Sequence, residues 1–149
     1  IGWYTRLEFP YLNNIMEQGE YVHIEKAGLK IYPEYGTYSD FNALPDSIFL
    51  YIADENNVVT DAVKDYLGKQ VQGGKLVKDD LFLGNTYYYF DVTQFMKEEL
   101  GASGKYKHNL QLVFNSDDYT KTLKNLTFSA PNGQNPIILQ LNYKIYESY

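Results

Sequence analysis

The stretch Thr86-Tyr87-Tyr88-Tyr89-Phe90-Asp91-Val92-Thr93-Gln94-Phe95-Met96-Lys97-Glu98-Glu99-Leu100 changes its period midway. Tyr87 to Phe90 is an aromatic run that suits a pleated surface and reads as a strand. From Asp91 onward, Val92, Phe95, Met96 and Leu100 take helical spacing and form one apolar stripe. Asp91 is placed to cap the first turn, with Gln94 as its capping-box partner. Gly101 stands where a left-handed residue would end the helix. The reading is one short helix over 91–100 in a chain otherwise made of strands. Its stripe has to be buried, which places it across an open end of a sheet packing.

The flanking sequence supplies the strands. Trp3, Thr5, Leu7 and Phe9 alternate with Tyr4, Arg6 and Glu8 until Pro10, and residues 12–16 allow one helical turn. Tyr21 to Tyr32 is long for a single strand, and its apolar phase slips at Glu25–Lys26, which predicts a bulge; Gly28 lies close to that slip. Ser47 to Ala53 is apolar on both faces and reads as a central strand, followed by the turn Asp54-Glu55-Asn56-Asn57. Residues 58–67 are ambiguous, with Val59, Val63 and Tyr66–Leu67 allowing a weak helix, and a strand is expected over 75–83 after Gly73–Gly74. His108 to Asn115 and Asn125 to Ala130 are further strands, and Pro131-Asn132-Gly133 is a hairpin turn. The chain closes on Ile137, Leu139, Leu141, Tyr143 and Ile145 in strict alternation, read as a strand paired on both sides. Strands about 10–15 residues apart without βαβ alternation predict an all-β fold, a jelly-roll-like antiparallel sandwich.

A chain of 149 residues is expected to form one domain spanning 1–149. With 19 acidic against 13 basic residues it lacks the electrostatic footprint of a nucleic-acid binder or of a protein drawn to anionic lipid. The absence of cysteine removes disulfides, thiolate catalysis and cysteine-based zinc sites. No apolar run is long enough to span a bilayer. Ile1 starts in mid-pattern, so the chain reads as a piece of something longer, with any targeting signal outside it. Aromatic residues, including 16 tyrosines, suit half-buried sheet faces and also suit an aromatic binding surface.

Three marks carry a family resemblance: Thr5-Arg6-Leu7-Glu8-Phe9-Pro10-Tyr11-Leu12, Ile24-Glu25-Lys26-Ala27-Gly28-Leu29-Lys30-Ile31, and Pro136-Ile137-Ile138-Leu139-Gln140-Leu141-Asn142-Tyr143. Leu44-Pro45-Asp46-Ser47-Ile48-Phe49-Leu50-Tyr51 and Phe90-Asp91-Val92-Thr93-Gln94-Phe95 fall between them in matching order. On these the chain resembles the C-terminal part of a domain family of unknown function in Bacteroidetes surface lipoproteins. It is more loosely similar to the DNRLRE-like sandwich of bacterial wall-anchored proteins. Gly28 departs from the family pattern, which has an acidic residue there. The resemblance implies export, a lipid anchor outside this sequence, placement at the outer membrane or cell surface, and a non-catalytic structural or interaction role. It brings no catalytic residues. It also implies that Asp46-Ser47-Ile48 is of a type that carries O-glycans.

The residues themselves offer little chemistry. His23 and His108 fall in different strands with no evident catalytic partner, and no nucleophile elbow, phosphate loop or zinc-protease motif is present. The paired acids Asp79–Asp80, Glu98–Glu99 and Asp117–Asp118 are sequence neighbours, which in a strand would face apart. No cofactor is expected. Calcium is a better candidate than zinc, with oxygen-rich turns at Asp54 and Asn57 and at Asp117 and Asp118, though neither has EF-hand spacing. The loop 33–46 carries Tyr35, Tyr38 and Phe41 beside Asp40 and Asn42, a candidate contact for a surface glycan or another surface protein. Two roles therefore stand side by side: a structural or interaction domain, and a carbohydrate-binding module using exposed aromatic rings.

Overall fold

The computed structural model describes residues 4–18, 21–65, 67–81, 84–103, 108–114, 127–128 and 136–147. Its elements in order are β1 (Thr5–Leu7), α1 (Asn13–Met16), β2 (Tyr21–Ile31), β3 (Ile48–Ala53), β4 (Val59–Ala62), β5 (Lys75–Val77), β6 (Tyr87–Asp91), α2 (Thr93–Ser103), β7 (Asn109–Phe114) and β8 (Ile138–Tyr146). The first sheet runs β1-β7-β3-β4 and the second β5-β6-β2-β8. All strand pairings are antiparallel. The protein is an all-β sandwich, and the chain passes back and forth between the two sheets as it does in jelly-roll folds.

The core follows from alternation. Leu29 and Ile31 of β2, Leu50 of β3, Tyr88 and Phe90 of β6 and Leu110 of β7 are fully buried on the inner faces, while on β7 the opposite face is covered too, with Asn109 and Gln111 buried. A buried phenol needs a hydrogen-bond partner, and the Tyr88 hydroxyl donates to the Pro45 carbonyl at 2.5 Å. The stripe of α2 closes the core as expected, with Val92, Phe95, Met96 and Leu100 buried.

The start of α2 is built differently from the expected capping box. Asp91 is the last residue of β6, and its Oδ1 accepts from the Thr93 N–H at 3.0 Å and from the Thr93 hydroxyl at 2.5 Å. Gln94 turns forward to Glu98 at 2.7 Å rather than back. Gln72 takes the role assigned to Gln94: its Oε1 accepts from the Asp91 N–H at 2.7 Å and its Nε2 donates to the Asp91 carbonyl at 2.9 Å. The helix is therefore 93–103 rather than 91–100, and Gly101 lies inside it in helical conformation. Among the described residues positive φ occurs at Asn57, Gly36 and Gly68.

The bulge in β2 falls where the phase slips, between Ile24 and Lys26. Two other expectations are corrected. Residues 59–62 form β4, not a helix: Asp54 Oδ1 accepts from the Asn56 and Val58 N–H groups, Asn57 takes φ 64°, and the resulting hairpin returns β4 along β3. The terminal strand β8 pairs with β2 alone among the described residues and stands at the end of its sheet. Alternation reports which face a strand buries, not how many of its edges are paired. Leu139, Leu141 and Tyr143 are accordingly half-buried, and Ile145 is exposed. The strand expected over 125–130 lies mostly outside the described residues, but Phe128 bridges Pro33.

The crossing from the first sheet to the second is tight. Gly73 bridges Phe49 of β3, the Gly74 N–H donates to the Ile48 carbonyl at 2.7 Å, and β5 begins one residue later. A Cβ on Gly74 would lie 2.3 Å from the ring of buried Phe90, whereas one on Gly73 would meet nothing closer than 3.6 Å. Gly74→Ala is therefore expected to destabilise the fold by about 1–3 kcal/mol or more through overpacking, and Gly73→Ala to be close to neutral. Thermal unfolding of the two variants checks this; equal melting temperatures would refute it.

Candidate functional site

The outward positions of the second sheet form one continuous surface. Register places Tyr89 of β6, Lys30 of β2 and Ile138 of β8 in one row, Asp91, Gly28 and Gln140 in the next, and Lys26 with Asn142 in a third. Lys75 of β5 stands opposite Tyr89 and joins the first row. Antiparallel partners share a face, so these side chains are neighbours although they come from four separate stretches of sequence.

At the centre, Gly28 contributes no side chain. The phenol end of Tyr89 lies across its backbone, so close that a Cβ there would be 2.9 Å from the Tyr89 hydroxyl oxygen. What remains is a depression of about 120 Å³ lined by Lys26, Gly28, Lys30, Tyr89, Gln140 and Asn142. Glycine inside a strand weakens it, and its presence marks a close approach to the backbone. Beside the depression the rings of Tyr32 and Tyr87 meet at 5.5 Å, and the Lys30 ammonium sits 4.9 Å from the centre of the Tyr87 ring. Farther along the same strand pair, Lys144 binds Glu25 at 2.5 Å. That hydrogen bond holds the Glu25 carboxyl below the usual range and raises Lys144, so this pair is internally neutralised.

A larger groove of about 390 Å³ runs between β4, the turn after it and α2. Its acids already have partners. Asp61 accepts from the Ala62 N–H and from Lys64, which together lower its carboxyl pKa. Asp65 accepts from the Lys69 N–H, Asp91 from Thr93, and Glu98 from Gln94. These contacts hold the turn and the helix start together, and they make the smaller depression the better candidate despite its size.

The residues singled out from sequence are dispersed. In the loop 33–46, Tyr35 and Phe41 are exposed, whereas Tyr38 packs against the core. Asn42 is occupied within the loop, donating through Nδ2 to the Thr37 carbonyl at 2.8 Å, and Asp40 is exposed. Asp54 uses Oδ1 to cap its own turn, and the Asn57 Oδ1 accepts from Arg6 at 2.8 Å. Asn109 and Gln111 of β7 donate to the carbonyls of Asp54 and Asn57, at 2.9 and 3.1 Å. Asp117 and Asp118 lie outside the described residues. Among the described residues no group of three or more His, Asp or Glu side chains is arranged to hold a metal ion.

His108 is hydrogen-bonded through Nδ1 to the buried Glu99, whose other oxygen accepts the His108 N–H at 3.1 Å; the pair ties the end of α2 to the start of β7. His23 is exposed on β2 opposite Lys144. Asp79 caps the turn before β6 by accepting from the Leu81 and Asn85 N–H groups. Asp46 is exposed and Ser47 half-buried, just before the start of β3.

No described helix is long and apolar enough to cross a membrane. No protein-family model, curated protein or solved structure matches the chain. The geometry alone therefore identifies the depression at Gly28 as the candidate site. Gly28→Ala is expected to leave stability within about 1 kcal/mol, since alanine suits a strand better than glycine and only the tip of Tyr89 must swing aside. Thermal melting together with a displaced Tyr89 ring resonance checks this; a large loss of stability with the ring unmoved would refute it.

Proposed function

We propose that this domain is a non-catalytic recognition module that holds a glycan on the outer face of its second sheet. The observation that carries the reading is the depression on that face, where Tyr89 lies across the backbone of Gly28 and shares a small open space with the amides of Gln140 and Asn142. Tyrosine offers sugar C–H groups a rigid apolar surface with a hydroxyl at its rim, and primary amides offer both donors and acceptors to sugar hydroxyls. The ordered sheet fixes these groups in advance, which limits the entropy lost on binding. An exported, anchored surface protein, the setting that the family resemblance implies, is one that meets glycans.

The polar residues support a non-catalytic role. His108 and Glu99 serve the helix-to-strand connection, and the acids of the larger groove serve turns and helix start.

Glycan-array screening of the purified domain tests the proposal. Tyr89→Ala and Tyr87→Ala should each weaken binding about three- to tenfold, the range expected for one aromatic contact, with the melting temperature little changed. Tyr35→Ala and Phe41→Ala should leave binding intact. If those two variants carried the loss instead, the loop 33–46 would be the contact surface. Binding to no glycan would refute the proposal.

A further inference from the structure

Resting on that reading, we infer that the sugar is acidic, and that the depression at Gly28 seats its carboxylate or sulfate while the ring lies against the neighbouring tyrosines. The first ground is charge. The protein carries a net charge of −6, yet Lys26, Lys30 and Lys75 converge on this face. Among the described residues none of the three has a carboxylate partner, in contrast to Lys64 and Lys144, which are paired with Asp61 and Glu25. The face also holds Asp91, but its Oδ1 accepts two hydrogen bonds from Thr93.

The second ground is the balance of donors and acceptors. Two lysine side chains, one phenol and two primary amides line the depression, a set dominated by donors. A neutral sugar presents hydroxyls that both donate and accept, and it is best met by a mixture that includes carboxylates. A donor-rich surface fits a group that only accepts, and hydrogen bonds to a charged acceptor are the stronger kind.

The third ground is size. About 120 Å³ is well below the roughly 300–1,000 Å³ of pockets that enclose a small-molecule ligand. A depression on this scale suits one ionised substituent, with the sugar ring lying on the surface beside it. Lys30 links the two parts of the site, since its ammonium lies over Tyr87 and its side chain lines the depression.

The experiment is calorimetric titration of the domain with four probes of matched length: an oligogalacturonate, its methyl ester, a sulfated oligosaccharide and oligo(dT). The acidic saccharides should bind at least about tenfold more tightly than the methyl ester, and the advantage should shrink as added salt shortens the screening length. Whichever of the uronate and the sulfated probe binds more tightly identifies the anion. Lys26→Gln and Lys30→Gln should each weaken acidic-saccharide binding about fivefold, and by more than they weaken binding of the methyl ester, while Lys144→Gln should alter neither. Equal binding of ester and acid would overturn this inference and leave the glycan reading standing. Oligo(dT) binding as tightly as the acidic saccharides would also overturn it, since the face would then hold polyanions regardless of sugar chemistry. Binding to none of the saccharides would overturn this inference, and the glycan reading would fall with it only if the array also shows no binding.

Discussion

The structure depends on how the two backbone groups of Ala27 are satisfied. β6 pairs with β2 only as far as Asp91 opposite Gly28, so the next stretch of β2 has no strand partner on that side. The Ala27 carbonyl accepts the Val92 N–H at 3.0 Å, and the Ala27 N–H donates to the Thr93 hydroxyl at 2.9 Å. A buried strand with two unmet groups would lose several kcal/mol. Here the first residues of the helix stand in for the missing strand. Gln72 then holds the Asp91 peptide from the other side. The change from strand to helix is thus fixed by a hydrogen-bond count, and the helix leaves the sheet at the one point from which Phe95 and Met96 reach the core.

That switch was legible because both halves of it have strong periodicity: Tyr88 and Phe90 alternate, and Val92, Phe95, Met96 and Leu100 lie on one helical face. The bulge at Glu25–Lys26 was legible for the same reason. β4 was misread because Val59 and Val63 happen to sit one helical turn apart; the turn from Asp54 to Asn57 settles the matter, through hydrogen bonds that a periodicity count does not weigh. The capping partner was misassigned because Gln72 comes from a distant part of the chain. Gly101 was misread because its open surroundings tolerate glycine in the helix without requiring a left-handed turn there.

The candidate site was less legible than the fold. It is made by register, and register pairs Gly28 with Gln140 and Lys26 with Asn142 across most of the length of the chain. The available signal was Gly28 itself, a glycine within a strongly patterned strand, which the sequence reading attributed to the bulge nearby. The aromatic loop drew attention instead because its rings are close in sequence, yet Tyr38 turns inward and separates Tyr35 from Phe41. In this fold proximity along the chain is a poor guide to shared surface, whereas the two-residue period of the strands is a good one: the same β2 buries Ala27 and Leu29 on one face and carries Lys26 and Lys30 on the other, with Gly28 between them under Tyr89.

The position of β8 gives the depression a further property. Gln140 and Asn142 form one of its walls, and they belong to a strand held by β2 on one edge only among the described residues. Edge strands open locally at lower free energy than central ones. Each such opening carries away that wall while β2 and β6 keep the other. A ligand bridging both walls therefore acts as a rivet across the β2–β8 seam, and by linkage its binding energy adds to the closure of that seam. For any ligand that bridges both walls, occupancy and the integrity of β8 would become one equilibrium.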